Sequence, residues 1–405
     1  MKILAIHNFY GSNAPSGENA VYEAERDLLR QHGHEVVEFT RHSDEIRTKG
    51  VLGAIQGALA VPWNPWMVRA VRREVERFRP DVVHAHNTFP LISPGVFYAI
   101  GQRCAKVLTL HNYRLFCPAA IPMREGRPCI DCLEGHTVIP SLVHGCYRGS
   151  RMATLPLAAG VALHRALGTW TDRVDAFIAL SDFQRDVMVR AGLPAERVQV
   201  KPNFYPGNPQ VVPWGDRGDH AVFVGRLSPE KGVEALVRAW GLWGAEAPEL
   251  RIVGDGPLRG QLERLSAGKS ICFLGQLSMD EAQAQIAQAK LLILPSECFE
   301  GFPMVVREAF AFGTPAAVSA LGPLPSIVRH RNNGLLFAPA DPESLLREVQ
   351  SAWRTPGLLE RLAHGARQSF EEAYTEKSNY EALMGIYAQA IAVNRRQKDV
   401  DERGD

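Results

Sequence analysis

Short β-branched runs recur along this chain, each closed by a turn and followed by a helical pattern, and the cycle is run through twice. A strand followed by a helix and another strand is the signature of a parallel sheet, because antiparallel neighbours need only a tight turn between them. The alternation therefore restricts the chain to parallel sheets with helices on their faces. The spacing predicts strands at 2–6, 35–40, 81–84, 106–110, 176–180 and 198–201 in the first half, and at 221–224, 250–253, 271–274, 291–294, 316–319 and 334–337 in the second. Between the halves, Asn203-Phe204-Tyr205-Pro206-Gly207-Asn208-Pro209 and Pro213-Trp214-Gly215-Asp216 read as a linker. A length of 405 residues also exceeds one typical core. The expected organisation is an N-terminal domain at 1–207 with an insertion at 113–150, and a C-terminal domain at 216–372. Tyr380, Leu383, Met384, Ile386 and Tyr387 recur at helical spacing, so 373–393 is predicted as a helix packing back on the N-terminal domain. The polar stretch 394–405 is expected to be disordered.

With 45 basic and 44 acidic side chains, the formal net charge of +1 argues against a partner as strongly anionic as nucleic acid. The apolar run after Lys2 is too short for a secretory signal and reads as a strand. The run 51–63 is interrupted by two glycines, a glutamine and a proline, so it does not read as a membrane span. The expected location is cytoplasmic, peripheral at the inner face of the plasma membrane.

Three stretches of the second half carry chemistry. After the strand at 221–224 come Gly225-Arg226-Leu227-Ser228-Pro229-Glu230-Lys231-Gly232 and a helix start. A glycine there lets backbone amides approach an anion, the helix N-terminus adds partial positive charge, and Arg226 and Lys231 can neutralise a diphosphate. The bland alternative is a solvated basic turn. Gly254-Asp255-Gly256-Pro257 opens another helix and, taken alone, is only a tight turn. Glu300-Gly301-Phe302-Pro303-Met304-Val305-Val306-Arg307-Glu308 places one carboxylate before a turn and another about a turn inside a predicted helix. Ionised carboxylates accept hydrogen bonds from vicinal sugar hydroxyls, so the two suit two sugar rings.

These motifs follow in one order, with Glu-Ala-Phe-Ala-Phe-Gly-Thr-Pro, Asn-Asn-Gly-Leu-Leu-Phe-Ala-Pro and Asp341-Pro342 completing the set. The C-terminal half thereby resembles the family 4 glycosyltransferases, bacterial cell-surface glycan type, and the N-terminal half matches more loosely. The resemblance implies an α/β fold of GT-B architecture: two Rossmann-like parallel-sheet domains facing across a cleft, with the C-terminal helix crossing back. It implies transfer of a hexose-type sugar, with retention, from a nucleotide diphosphate sugar to a polysaccharide, lipopolysaccharide or lipid-linked oligosaccharide in cell-envelope biosynthesis. By the same resemblance Arg226 and Lys231 hold the diphosphate leaving group, Glu308 binds the ribose, and Glu300 contacts the transferred sugar. Gly225, Gly254, Gly301, Phe302 and Pro303 then line the donor site. His111, at the end of the strand 106–110, matches the family's histidine near the reacting centre; on its own it reads as a structural hydrogen-bonding group. Gly17, in Ser16-Gly17-Glu18, stands where the family usually has two adjacent glycines near the donor phosphates. No catalytic metal is expected. Stabilisation of the departing diphosphate by fixed cations fits this set better than proton abstraction. The alternatives are a nucleotide-sugar 2-epimerase of the same fold and a non-catalytic sugar-nucleotide-binding protein.

Four of the seven cysteines, Cys117, Cys129, Cys132 and Cys146, are spaced Cys-x11-Cys-x2-Cys-x13-Cys on the Gly- and Pro-rich insertion. In a reducing compartment this reads as a structural zinc site, with His136 and His144 as substitute ligands and unpaired apolar cysteines as the alternative. From Trp63 to Arg79, Trp63, Trp66, Met67, Val68, Val71, Val75 and Phe78 alternate with Arg69, Arg72, Arg73, Arg77 and Arg79. That mixture suits an anionic membrane surface, or else an ordinary domain helix with a solvated basic face.

Overall fold

The computed structural model describes residues 1–11 and 16–404, with side chains up to residue 398. The chain forms two compact units, one made of Met1–Pro122, Ile130–Pro202 and Asn379–Asp405, the other of Met123–Cys129 and Asn203–Ser378.

The first unit is built on six parallel strands: β1 Lys2–Phe9, β2 Glu35–His42, β3 Val82–Asn87, β4 Ala105–Thr109, β7 Ala176–Ala179 and β8 Val198–Val200, in the order β2-β1-β3-β4-β7-β8. Between β4 and β7, Met123–Arg124 (β5) and Arg127–Pro128 (β6) pair as a short antiparallel hairpin that groups with the second unit. Strands β3, β4 and β7 are buried along their whole length, as expected where helices cover both faces. The C-terminal helix Glu376–Gly404 supplies part of this cover: Leu383, Ile386, Tyr387 and Ala390 are buried with Ile3, Val82 and Val107.

The second unit repeats the plan with β9 His220–Val224, β10 Glu249–Val253, β11 Ile271–Gly275, β12 Leu291–Leu294, β13 Ala316–Ser319 and β14 Gly334–Phe337, in the order β11-β10-β9-β12-β13-β14. Its core gathers Phe223, Leu236, Trp240, Ile252, Ile293 and Leu335. Each strand expected from the sequence is present, within a few residues.

Two expectations are corrected, and a third element is described more closely. The division between units falls after Pro202, ahead of the proline-rich span, because that span is tied into the second unit. The Tyr205 amide donates to the Tyr374 carbonyl at 2.9 Å, and the Arg367 guanidinium donates to the Pro209 carbonyl at 3.1 Å. Residues 394–404, expected to be disordered, continue the C-terminal helix. Asn394 is buried and anchors that extension through Asp175, and a helix already nucleated propagates readily through Lys, Glu and Arg. Finally, the helix Pro65–Phe78 turns Val71, Val75 and Phe78 into the core and leaves its arginines outside. Of its large apolar groups Trp66 alone is strongly exposed, which is the pattern of a domain helix.

Candidate active site

In the second unit the candidate donor residues lie after the carboxyl ends of neighbouring strands β9 and β12, the edge where open parallel sheets bind ligands. Beyond β9, Gly225 bonds back to the Val253 carbonyl at 3.0 Å and the chain turns out through exposed Arg226. It returns at Lys231 and Gly232. Gly232 has φ +63°, and a Cβ there would lie 1.9 Å from the Pro295 carbonyl oxygen, so only glycine allows the loop so close to the chain leaving β12. The Glu297 amide donates to the Glu230 carbonyl at 2.9 Å and closes the junction.

That approach brings Lys231 Nζ to 2.8 Å from Glu300 Oε1, with the two side chains 26% and 11% exposed. Ser296 Oγ donates to the same oxygen. Burial pushes the Lys231 ammonium down, and the Glu300 carboxylate outweighs it, so the net shift is upward and the cation is secure. Gly301 is partly exposed, whereas Phe302 and Pro303 are buried at the turn. Pro303 caps the helix Met304–Ala311, which puts Glu308 just over a turn inside. Burial raises the Glu308 carboxyl above its ordinary value, opposed by Arg307, whose Nη2 is 3.4 Å away. Arg307 is itself buried and held by the Phe204 carbonyl. It is a supporting residue that the sequence reading passed over; a basic residue on the apolar side of a short helix was the available signal. Gly254 is explained by packing: its φ is +126°, and a Cβ would lie 2.0 Å from the Gly225 carbonyl oxygen.

In the first unit, adjacent strands β1, β3 and β4 carry His7 and His86 and lead into His111. His86 Nδ1 and His111 Nε2 are 3.1 Å apart, with the rings stacked at 5.3 Å. Burial, and then the neighbouring His86, lower His111 well below the usual imidazole value, so it is a neutral ring. Beside it Asn112 Nδ2 donates to Glu18 Oε1 at 2.7 Å, and the Arg114 guanidinium lies 4.0 Å over the Phe89 ring. Burial raises the Glu18 carboxyl, with Asn112 and Arg114 opposing. A cavity of about 90 Å³ is lined by His86, His111, Arg114, Phe89, Leu157 and Trp170 among others. Gly17 is the exposed first residue of the helix Gly17–Gln31. Glu18, Glu25 and His86 were missed by the sequence reading. The signals for the last two were His84 and His86 two apart on one strand face, and an acid at Glu25 between Tyr22 and Leu28 on a buried helix face.

Among the described residues, Glu25, His84 and His86 are the one group of three or more His, Cys, Asp or Glu donors within 4.8 Å of one another. Cys117, Cys132 and Cys146 of the first unit form no such group, and no disulfide joins the described cysteines. Burial pushes the Cys117 thiol up to about 12, against the backbone N–H groups of Ala119 and Ala120 directed at its sulfur; Cys132 is close enough to raise it further. No described helix is long and apolar enough to cross a membrane.

Two parallel-sheet units, each with a polar cluster at its strand ends, define a Rossmann-like α/β scaffold. Residues 17–206 match Glycosyltransferase Family 4 and residues 208–369 match Glycosyl transferases group 1, so the chain belongs to the family 4 glycosyltransferases of GT-B fold. It is similar to the sulfoquinovosyl transferase of Arabidopsis thaliana, 25% identical over 91% of this chain and 70% of that protein. It also resembles the D-inositol 3-phosphate glycosyltransferase of Streptomyces bingchenggensis, 32% identical over 44% of this chain, and there it spans only 42% of the relative. Among solved structures, Anabaena HepE in complex with UDP superposes with a TM-score of 0.65 at 19% identity, covering 96% of this chain and 100% of that one; at this identity the likeness is one of fold.

Proposed function

We propose that this glycosyltransferase moves a hexose-type sugar, with retention, from a nucleotide diphosphate sugar to a glycan or lipid-linked glycan acceptor. The observation that carries the reading is the contact of Lys231 with Glu300, 69 residues apart in sequence, at the strand ends of the second unit. A cation meant for a diphosphate and a carboxylate meant for sugar hydroxyls are thereby held side by side before any ligand arrives, so little reorganisation is needed on binding. In this reading Lys231 and Arg226 take up the negative charge that develops on the departing diphosphate. Glu308 accepts hydrogen bonds from the ribose, and Glu300 from the transferred sugar. His111, in the first unit, is read by the family resemblance as a sugar contact. The UDP and UDP-glucose named with the HepE structures fit such a donor. A 2-epimerase would place an acid and base pair at the sugar, a role the ion-paired Glu300 is poorly suited to fill.

The test is a thermal-shift screen against uridine, guanosine and adenosine diphosphates and their sugar conjugates, with Glu308→Ala as control. A ligand that binds only the folded state raises its stability as RT ln(1 + [L]/Kd). A shift abolished in the variant supports the donor site, and no shift from any nucleotide overturns it.

Two further parts of the reading concern the first unit. Contact with an anionic membrane surface is better supported away from the helix Pro65–Phe78. Val51, Leu52, Ile55 and Leu59 of the helix Gly50–Ala60 are exposed, as are Met152 and Leu155 of the helix Arg151–Ala166, which packs against it. Exposed Arg47, Lys49, Arg148 and Arg151 flank them. Flotation with anionic but not neutral liposomes is the expected result. Zinc held by Cys117, Cys129, Cys132 and Cys146 rests on the Cys-x11-Cys-x2-Cys-x13-Cys spacing alone. Elemental analysis of protein purified without chelator decides it.

A further inference from the structure

We propose that Glu25 and His86 are positioning residues that set the tautomer of His111, leaving its Nδ1 as a hydrogen-bond acceptor for a hydroxyl of the transferred sugar. The proposal rests on the reading of His111 as a sugar contact. Its physical basis is a chain of buried groups within the first unit.

The chain starts at Glu25, 1% exposed on the inner face of the helix Gly17–Gln31. Its Oε2 lies 2.6 Å from Lys201 Nζ, and the carboxyl is held well below the ordinary range; burial opposes this, and Lys201, the foremost of the groups that lower it, outweighs it. It is therefore a carboxylate, which only accepts hydrogen bonds. Its other oxygen, Oε1, is 3.3 Å from both His84 Nδ1 and His86 Nε2. His84 already has partners on both nitrogens, Tyr387 OH on Nδ1 and Thr109 Oγ1 on Nε2, each at 2.8 Å. That leaves the Nε2–H of His86 as the proton nearest Oε1, an electrostatic contact at 3.3 Å rather than an aligned hydrogen bond, on an oxygen that has no other partner.

Lys201 already balances the Glu25 charge, so the cluster holds no second anion to stabilise an imidazolium. A neutral His86 that carries its proton on Nε2 must accept at Nδ1. The group facing Nδ1 is His111 Nε2 at 3.1 Å, which must carry the proton of that bond. Since His111 is a neutral ring, its Nδ1 is bare. Glu25 thus decides, through one intervening ring, which way a hydrogen bond runs at the candidate reacting centre. The carboxylate that orients a metal-bound or general-base histidine works by the same logic.

The test reads tautomers directly. Long-range ¹H–¹⁵N spectra of protein labelled in its histidine rings separate Nε2–H from Nδ1–H forms, and loss of signals in His111→Gln assigns His111. The expected result for the parent is Nε2–H at both His86 and His111. In His86→Gln the carboxamide oxygen still accepts, so His111 keeps its Nε2–H signature; in His86→Phe that preference is lost. A parent His111 in the Nδ1–H form, or an unchanged signature in a folded His86→Phe, overturns the proposal. Turnover in His86→Phe should fall about 10- to 100-fold with donor affinity kept. If His111→Ala turns over like the parent while the tautomer signature stands, it is the placement of His111 at the sugar that fails.

Discussion

Replacing Lys231 by alanine removes a cation from two roles at once, and the structure separates them. In the free protein the ammonium compensates Glu300 at 2.8 Å, with the carboxylate only 11% exposed. An exposed pair is worth about 0–1 kcal/mol and breaking a buried one costs about 3–5, so leaving Glu300 alone should cost about 2 kcal/mol. For a unit of this size that corresponds to a fall in Tm of about 4–8 °C. In the reaction, loss of a fixed charge at the leaving group should lower turnover about 10²–10³-fold, as removal of one oxyanion-stabilising donor does. The assay pairs thermal unfolding with single-turnover product formation, using the nucleotide sugar that stabilises the parent. The double variant Lys231→Ala with Glu300→Gln takes away the uncompensated charge, and should regain much of the stability while turnover stays low. If nucleotide affinity and turnover fall by the same factor, Lys231 contributes uniform binding and the leaving-group argument is refuted. If Lys231→Ala is as stable as the parent, the pair is not the organising contact described above.

Glu308 should make donor binding pH-dependent. Only its ionised form accepts both ribose hydroxyls, and burial raises its pKa above 4.5, so affinity for a nucleotide sugar should weaken on acidification before pH 4.5 is reached. Because the raised value means that the folded state holds the proton more tightly than the unfolded one, stability should fall as pH rises through that range, and Glu308→Gln should flatten it. Calorimetric titration and urea unfolding across pH check both, and parallel profiles for parent and variant would refute them. Gly232→Ala must place a side chain at φ +63° and 1.9 Å from the Pro295 carbonyl oxygen. The left-handed conformation alone costs about 1–2 kcal/mol, and relieving the clash must move Lys231 from Glu300. Both Tm and turnover should drop, and an active, equally stable variant would show that the loop has another way to close.

The twelve parallel strands and their division into two sheets were legible in the chain, because short β-branched runs, the turns that close them and the helical patterns that follow are local properties. So was the position of Lys231, Glu300 and Glu308, since a strand end, a proline and a helix start put them beyond the carboxyl ends of parallel strands. The partners of these residues were not legible. That Lys231 meets Glu300, that Arg307 backs Glu308, and that Glu25 reaches His111 through His86 depend on which strands lie side by side, in the order β2-β1-β3-β4-β7-β8 and β11-β10-β9-β12-β13-β14. The helix Pro65–Phe78 makes the same point: its mixed aromatic and basic composition does not say which side chains the core takes up, and the fold chose Val71, Val75 and Phe78. Local sequence sets what each segment can become, whereas the direction of a buried hydrogen bond is decided by groups brought from distant segments into one water-free place, where every donor must find an acceptor.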